Sequence, residues 1–124
     1  MLTSTIQIQV ETAYLPGHIP PEKNKFAFSY HIEIENQGEE TVQLLNRYWL
    51  ITDGNGKTSE VAGSGVVGKQ PFIAPGEKFA YSSGAVLDTP VGSMQGHFEF
   101  QKSDSSLFKA PIDIFSLNVP NAVN

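Results

Sequence analysis

Apolar and polar residues alternate with a period of two through much of this chain. Ile6, Ile8 and Val10 stand against Thr5, Gln7, Gln9 and Glu11. Phe26, Phe28, Tyr30, Ile32 and Ile34 stand against Ala27, Ser29, His31, Glu33 and Glu35. Successive side chains of a strand point to opposite faces, so both segments predict half-buried strands with one wet face. Residues 41–52 are apolar in both registers, with Val42, Leu44, Tyr48 and Leu50 on one side and Leu45, Trp49 and Ile51 on the other. That pattern reads as a central strand covered from both sides. Shorter strands are expected near residues 59–62, 78–82, 94–101 and 108–117. No window repeats apolar residues at helical spacing over three turns.

Turn chemistry separates these segments. Asn36-Gln37-Gly38 follows the second strand, and Asp53-Gly54-Asn55-Gly56 supplies residues that tolerate positive φ in a tight hairpin. Pro75-Gly76 fits the central positions of a type II turn, and residues 102–106 read as a further hairpin loop. Seven or eight short strands without helices predict an all-β fold, an antiparallel β-sandwich, with a small barrel as competitor. Trp49 suits an immunoglobulin-like or fibronectin type III-like core; the absence of cysteine favours the latter.

At 124 residues the chain is expected to form a single domain over 1–124. Eight Lys plus Arg oppose thirteen Asp plus Glu, giving a net charge of −5, and the cations are scattered. Nucleic-acid binding rests on clustered cations, so neither a nucleic acid nor an anionic membrane surface is an expected partner. The N-terminus has no basic n-region and is not read as a signal peptide. No apolar run approaches the length of about 20 residues that spans a bilayer. A cytoplasmic protein is expected.

Candidate chemistry concentrates in residues 61–71. Gly63, Gly65 and Gly68 match Gly-x-Gly-x-x-Gly, and Gly63 with Gly68-Lys69 falls one residue short of a P-loop, Gln70 replacing Ser or Thr. Both motifs need a helix to open where the glycines end, because its N-terminal N–H groups hold the phosphate. Pro71 and Pro75 exclude such a helix. Two readings remain. Gly63, Gly65 and Gly68 form an anion-holding nest assisted by Lys69, with Asp88 at the spacing of a ribose-binding acid. Alternatively, the glycines permit bulges and close chain approach. Asp88 also reads as an Asx-type turn residue bonding Thr89 or a nearby N–H. Arg47, beside Tyr48 and Trp49, is a candidate partner contact or a stem packed over the core. His18, His31 and His97 show no metal-ligand spacing, and no serine elbow precedes a helix. No enzyme, metal or cofactor is expected.

Several stretches together resemble the ApaG family over nearly the whole length. They are residues 28–36, Arg47 to Gly56, Gly65 to Pro71, Ala74 to Glu77, Leu87 to Gly96, Phe115 to Leu117 and the terminal Val123-Asn124. The resemblance implies a fibronectin type III-like sandwich, bacterial and cytoplasmic when it stands alone. Eukaryotic relatives carry it inside F-box and polymerase-interacting proteins, which implies a partner-binding module. It also implies a link to cobalt resistance and magnesium efflux, and a gene neighbour that hydrolyses diadenosine tetraphosphate. The chain departs from the family pattern at Tyr48, where His is common, at Ala62 for Arg, Ser64 for Glu and Ala85 for Cys. The loop thereby loses charge. The expected role is a non-enzymatic protein-interaction module, with a homodimer through strand edges also expected. The alternative is a nucleotide or pyrophosphate binder, with or without Mg²⁺, through the Gly63–Gly68 loop.

Overall fold

A computed structural model describes residues 5–20 and 23–120; the Val123-Asn124 resemblance lies outside them. Eight strands form in chain order: β1 (Ile6–Tyr14), β2 (Phe26–Asn36), β3 (Val42–Asp53), β4 (Thr58–Ser64), β5 (Phe72–Ile73), β6 (Lys78–Leu87), β7 (Val91–Gln101) and β8 (Leu107–Asn118). One sheet has the order β1-β2-β6 and the other β4-β3-β7-β8, with β5 on the same edge of β3 as β4. All pairings are antiparallel, and the two sheets stack as a fibronectin type III-like sandwich. None of the described residues forms a helix long and apolar enough to cross a membrane.

The alternation in β1 and β2 places side chains as expected, with Ile6, Phe28, Tyr30, Ile32 and Ile34 buried. In β3 the expectation fails. Its register against β7 shifts between Leu44 and Asn46, a β-bulge that adds one residue to β3. Parity reverses there: Val42 and Leu44 point inward before the bulge, and Arg47, Trp49 and Ile51 point inward after it. The facing residues on β7 confirm the inward set, because Arg47 lies opposite Phe98 and Ile51 opposite Met94, both buried. Two apolar registers in one segment therefore reflect a switch of face, not a strand covered on both sides. Tyr48 and Leu50 belong to the outer face.

Other boundaries also differ. The strand expected at 78–82 runs on through Ser83-Gly84 to Leu87, and its register against β2 is unbroken. β7 begins at Val91, three residues before the strand expected at 94–101. Backbone ladders override weak local propensity in both places. The turns behave as expected. Ala74 O accepts from Glu77 N at 2.9 Å across Pro75-Gly76, with Gly76 at φ 81°. Gly56, at φ 83°, closes the hairpin after Asp53, whose Oδ1 accepts from Asn55 N and Lys57 N.

Aromatic rings join the two sheets. Trp49 contacts Tyr30 edge-on at 5.4 Å, Phe115 at 5.7 Å and Phe98 at 6.2 Å between centroids. Opposite Trp49 stands Gly96, where a Cβ would meet Tyr48 O at 1.9 Å. The strands approach so closely that only hydrogen fits. Gly96→Ala is therefore expected to lower stability by about 3 kcal/mol, at the upper end of overpacking costs. Urea unfolding followed by Trp49 fluorescence measures the loss.

Candidate functional site

The glycine segment begins where β4 ends beside the β3 bulge. Gly65 N donates to Leu45 O at 2.7 Å, and Gln70 Nε2 donates to the same carbonyl at 3.0 Å. Between them the chain turns back in two residues: Val66 N donates to Lys69 O and Lys69 N to Val66 O. Val67 and Gly68 both take positive φ, 43° and 78°, the pattern of a type I′ hairpin. No helix follows; the chain continues to Phe72–Ile73, which pairs with the start of β3. At Gly65, also at positive φ, a Cβ would fall 2.3 Å from Lys69 O. The glycines thus let the chain leave β3 at the bulge and rejoin the same edge beyond it. The N–H groups of Gly65, Val66 and Lys69 are all donated within this structure, which leaves the nest few donors for an anion.

Arg47 braces the segment from below. Its Nη1 donates to Ser64 O at 3.0 Å and Gly65 O at 2.9 Å. Gly63 makes room for the guanidinium, since a Cβ there would lie 3.0 Å from Nη1. The stem lies on the inner face, and the charge reaches toward Tyr81 of the other sheet. Burial pushes the Tyr81 phenol well above its ordinary value, Tyr30 adds to the rise, and Arg47 opposes it. Among the described residues, Tyr81 OH and Trp49 Nε1 are buried without a hydrogen-bond partner.

Asp88 is far from the glycines. It follows β6 at the Lys57 end of β4, whereas Gly63 lies at the other end, about 20 Å away at the usual rise per strand residue. Lys25 Nζ bonds Asp88 Oδ1 at 2.5 Å, and Lys57 Nζ lies 3.9 Å from Oδ2. The hydrogen bond from Lys25, then its charge, holds the carboxyl below the usual carboxylate range. The expected Asx-type turn is replaced by this pair. Thr89 instead accepts from Gly54 N at 2.7 Å and donates to Val91 O at 2.6 Å. The structure brings Gly63, Gly65, Gly68, Lys69 and Arg47 together and leaves Asp88 out.

A surface that sequence reasoning missed lies on the outer face of the larger sheet. Across four strands run Ala62, Tyr48, His97 and Pro111, and beside them Ser64, Asn46, Glu99 and Lys109. Tyr48 and His97 lie nearly parallel, 5.2 Å between centroids and 24° between planes. Asn46 Nδ2 donates to Glu99 Oε1 at 2.8 Å and fixes that carboxylate. Small neighbours leave the ring pair in a shallow depression of about 540 Å³. The missed signal was the bulge, which turns Tyr48 outward to meet His97. His31 lies on the outer face of the other sheet, its Nδ1 2.8 Å from Ser82 Oγ, so the two histidines are on opposite sides of the sandwich. Among the described residues no three His, Asp or Glu gather as metal ligands.

Two measurements probe this geometry. A valine at positive φ is strained, whereas asparagine before glycine suits a type I′ turn. Val67→Asn is expected to stabilise the fold by about 1 kcal/mol, read from thermal and urea unfolding. Lys25→Met is expected to raise the Asp88 midpoint toward the ordinary carboxylate value in an NMR pH titration. The folded value lies below the unfolded one. The pair's contribution is therefore present above the ordinary carboxylate range and is lost as pH falls through the folded value.

The family model described as the ApaG domain matches residues 16–102. Protein ApaG of Pseudomonas aeruginosa is 53% identical over 119 residues, 96% of this chain and 94% of its own. Protein ApaG of Enterobacter sp. (strain 638) is 49% identical over 117 residues, 94% of each. A crystal structure of a Bordetella pertussis protein assigned as ApaA superposes with a TM-score of 0.90 at 38% identity, covering 94% of this chain and 95% of that one. An X-ray structure of a structural-genomics target reaches 0.91 at 44% identity, covering 96% and 90%.

Proposed function

The chain belongs to the ApaG family, and on that footing we propose that it is a non-enzymatic protein-interaction module. It binds a protein partner through the outer face of the five-stranded sheet. The observation that carries this reading is the Tyr48–His97 ring pair, laid open between Ala62 and Pro111 with Glu99 and Lys109 beside it. Protein interfaces draw much of their energy from a few aromatic and charged anchors on a flat, solvent-accessible patch. The rings supply apolar contact area at low entropic cost, because cross-strand packing already restricts them. Asn46 presents Glu99 in one orientation, and Lys109 adds a cation of opposite sign.

The rival reading, a nucleotide or pyrophosphate held by the glycine loop, draws less support. Three of the loop's N–H donors and one Arg47 nitrogen are engaged with the loop and with β3. On the preferred reading the family's link to cobalt and magnesium homeostasis runs through the partner, in the cytoplasm.

Quantitative capture from a bacterial extract tests the proposal. The wild-type chain should enrich a defined protein. The double substitution Tyr48→Ala with His97→Ala should weaken that interaction by about 2 kcal/mol or more, roughly thirtyfold, while melting close to wild type. Micromolar ATP or diadenosine tetraphosphate shifting only the amide resonances of residues 63–69 would overturn it.

A further inference from the structure

Among the described residues the smaller sheet ends at β1 and β6, and the larger at β8 and at β4 with the two-residue β5 beside it. An unpaired strand edge is a template for another strand, and proteins blunt it with prolines, charges, bulges or cover. β8 carries Lys109, Pro111 and Asp113, and a bulge shifts its register against β7 between Met94 and Gly96. β1 lies against β8 where the two sheets close. β4 is short, carries Glu60 and ends in the segment pinned by Arg47. β6 carries one charge, Lys78, at its start. From Phe79 to Leu87 it contains neither charge nor proline, and its pairing with β2 is continuous.

The direction of its backbone groups follows from two contacts. Asn36 N donates to Glu77 O at 3.0 Å, so the carbonyl of Glu77 faces β2. Phe28 O also points at β6, since a Cβ on Gly84 would meet it at 3.2 Å beside Ala85, the residue paired with Phe28. Antiparallel ladders alternate. The odd residues from Phe79 to Leu87 therefore bond β2. Lys78, Ala80, Ser82, Gly84 and Val86 send their N–H and C=O groups to the free edge. All five are exposed, and Val86 keeps 56% of its surface accessible.

We propose that this edge pairs with β6 of a second copy, antiparallel about a twofold axis at Ser83, making one six-stranded sheet from two three-stranded ones. The strand is self-complementary in that register. Outward-directed residues must face one another, and the axis sets Ser82 opposite Gly84, Ala80 opposite Val86 and Lys78 opposite Asp88 of the second copy. At both ends Lys78, which also contacts Glu33 of its own chain, meets Asp88, which also contacts Lys25 and Lys57 of its own, and each exposed valine faces a small residue. A twofold contact repeats each of these pairs. The larger sheet's outer face takes no part, so this inference stands apart from the proposed partner surface.

Sedimentation equilibrium from low micromolar to millimolar concentration tests it. The apparent mass should rise from the 13.5 kDa of one chain toward twice that value. Ser82→Pro removes one outward N–H without touching the β2 ladder, and should hold the chain monomeric, whereas Ser82→Ala should associate like wild type. Amide exchange on the wild type gives a reading that needs no variant. Protection at Ala80, Ser82, Gly84 and Val86 should rise about tenfold or more with concentration, while Tyr81, Ser83 and Ala85 stay protected throughout. A wild type that remains monomeric at millimolar concentration would overturn the proposal. So would association undiminished in folded Ser82→Pro, or concentration-independent exchange at the even positions.

Discussion

One extra residue in β3 decides which side chains meet the core and which meet solvent. The bulge at Leu45 reverses the alternation in mid-strand. Without it, Trp49 and Ile51 would face water while Tyr48 and Leu50 would enter the interior, because a one-residue slip moves every following side chain to the other face. The same bulge carries the inward Arg47 to the margin of the core, where its guanidinium reaches the carbonyls that end β4. It also offers Leu45 O to Gly65 N and the Gln70 side chain. Core composition, loop path and outer ring pair are thus consequences of one irregularity.

The glycines act within that frame. They resemble a phosphate-binding signature in spacing alone. Their physical task is to let a strand end, reverse within two residues and re-dock on the edge it has just left. Gly65 tolerates a backbone approach that a Cβ would forbid, and Gly68 supplies the second positive φ of the reversal. Val67 supplies the first, although it is β-branched. Local strain at that tip is sustained by the hydrogen bonds on either side.

Much of this was legible in the residues. Period-two alternation located β1 and β2, and the turn chemistry of Asp53–Gly56 and Pro75–Gly76 placed two reversals. Pro71 and Pro75 excluded the helix that a nucleotide loop requires. The ApaG resemblance agreed with the sandwich found. What was not legible depended on pairing partners. The bulge has no signature of its own; an apolar run in both registers looks the same whether a strand is covered twice or switches face. The Tyr48–His97 pair joins residues nearly fifty apart through the β3–β7 register, and the Lys25–Asp88 ion pair brings together two loops distant in sequence. Ser83-Gly84 carried turn propensity that the continuous β2–β6 ladder overrode.

The order of the smaller sheet has a consequence for synthesis. β2 takes β1 as one neighbour, close behind it in the chain, but its other neighbour is β6, which emerges only after β3, β4 and β5. Until then the edge of β2 that β6 will cover stays unpaired, and the sheet facing its apolar side from Phe28 to Ile34 consists of β3, β4 and β5 without β7 and β8. Such distant pairings carry a high loop-closure cost and slow the search for the native arrangement. The nascent chain must therefore be kept from associating through this half-built layer while the ribosome completes the remaining residues.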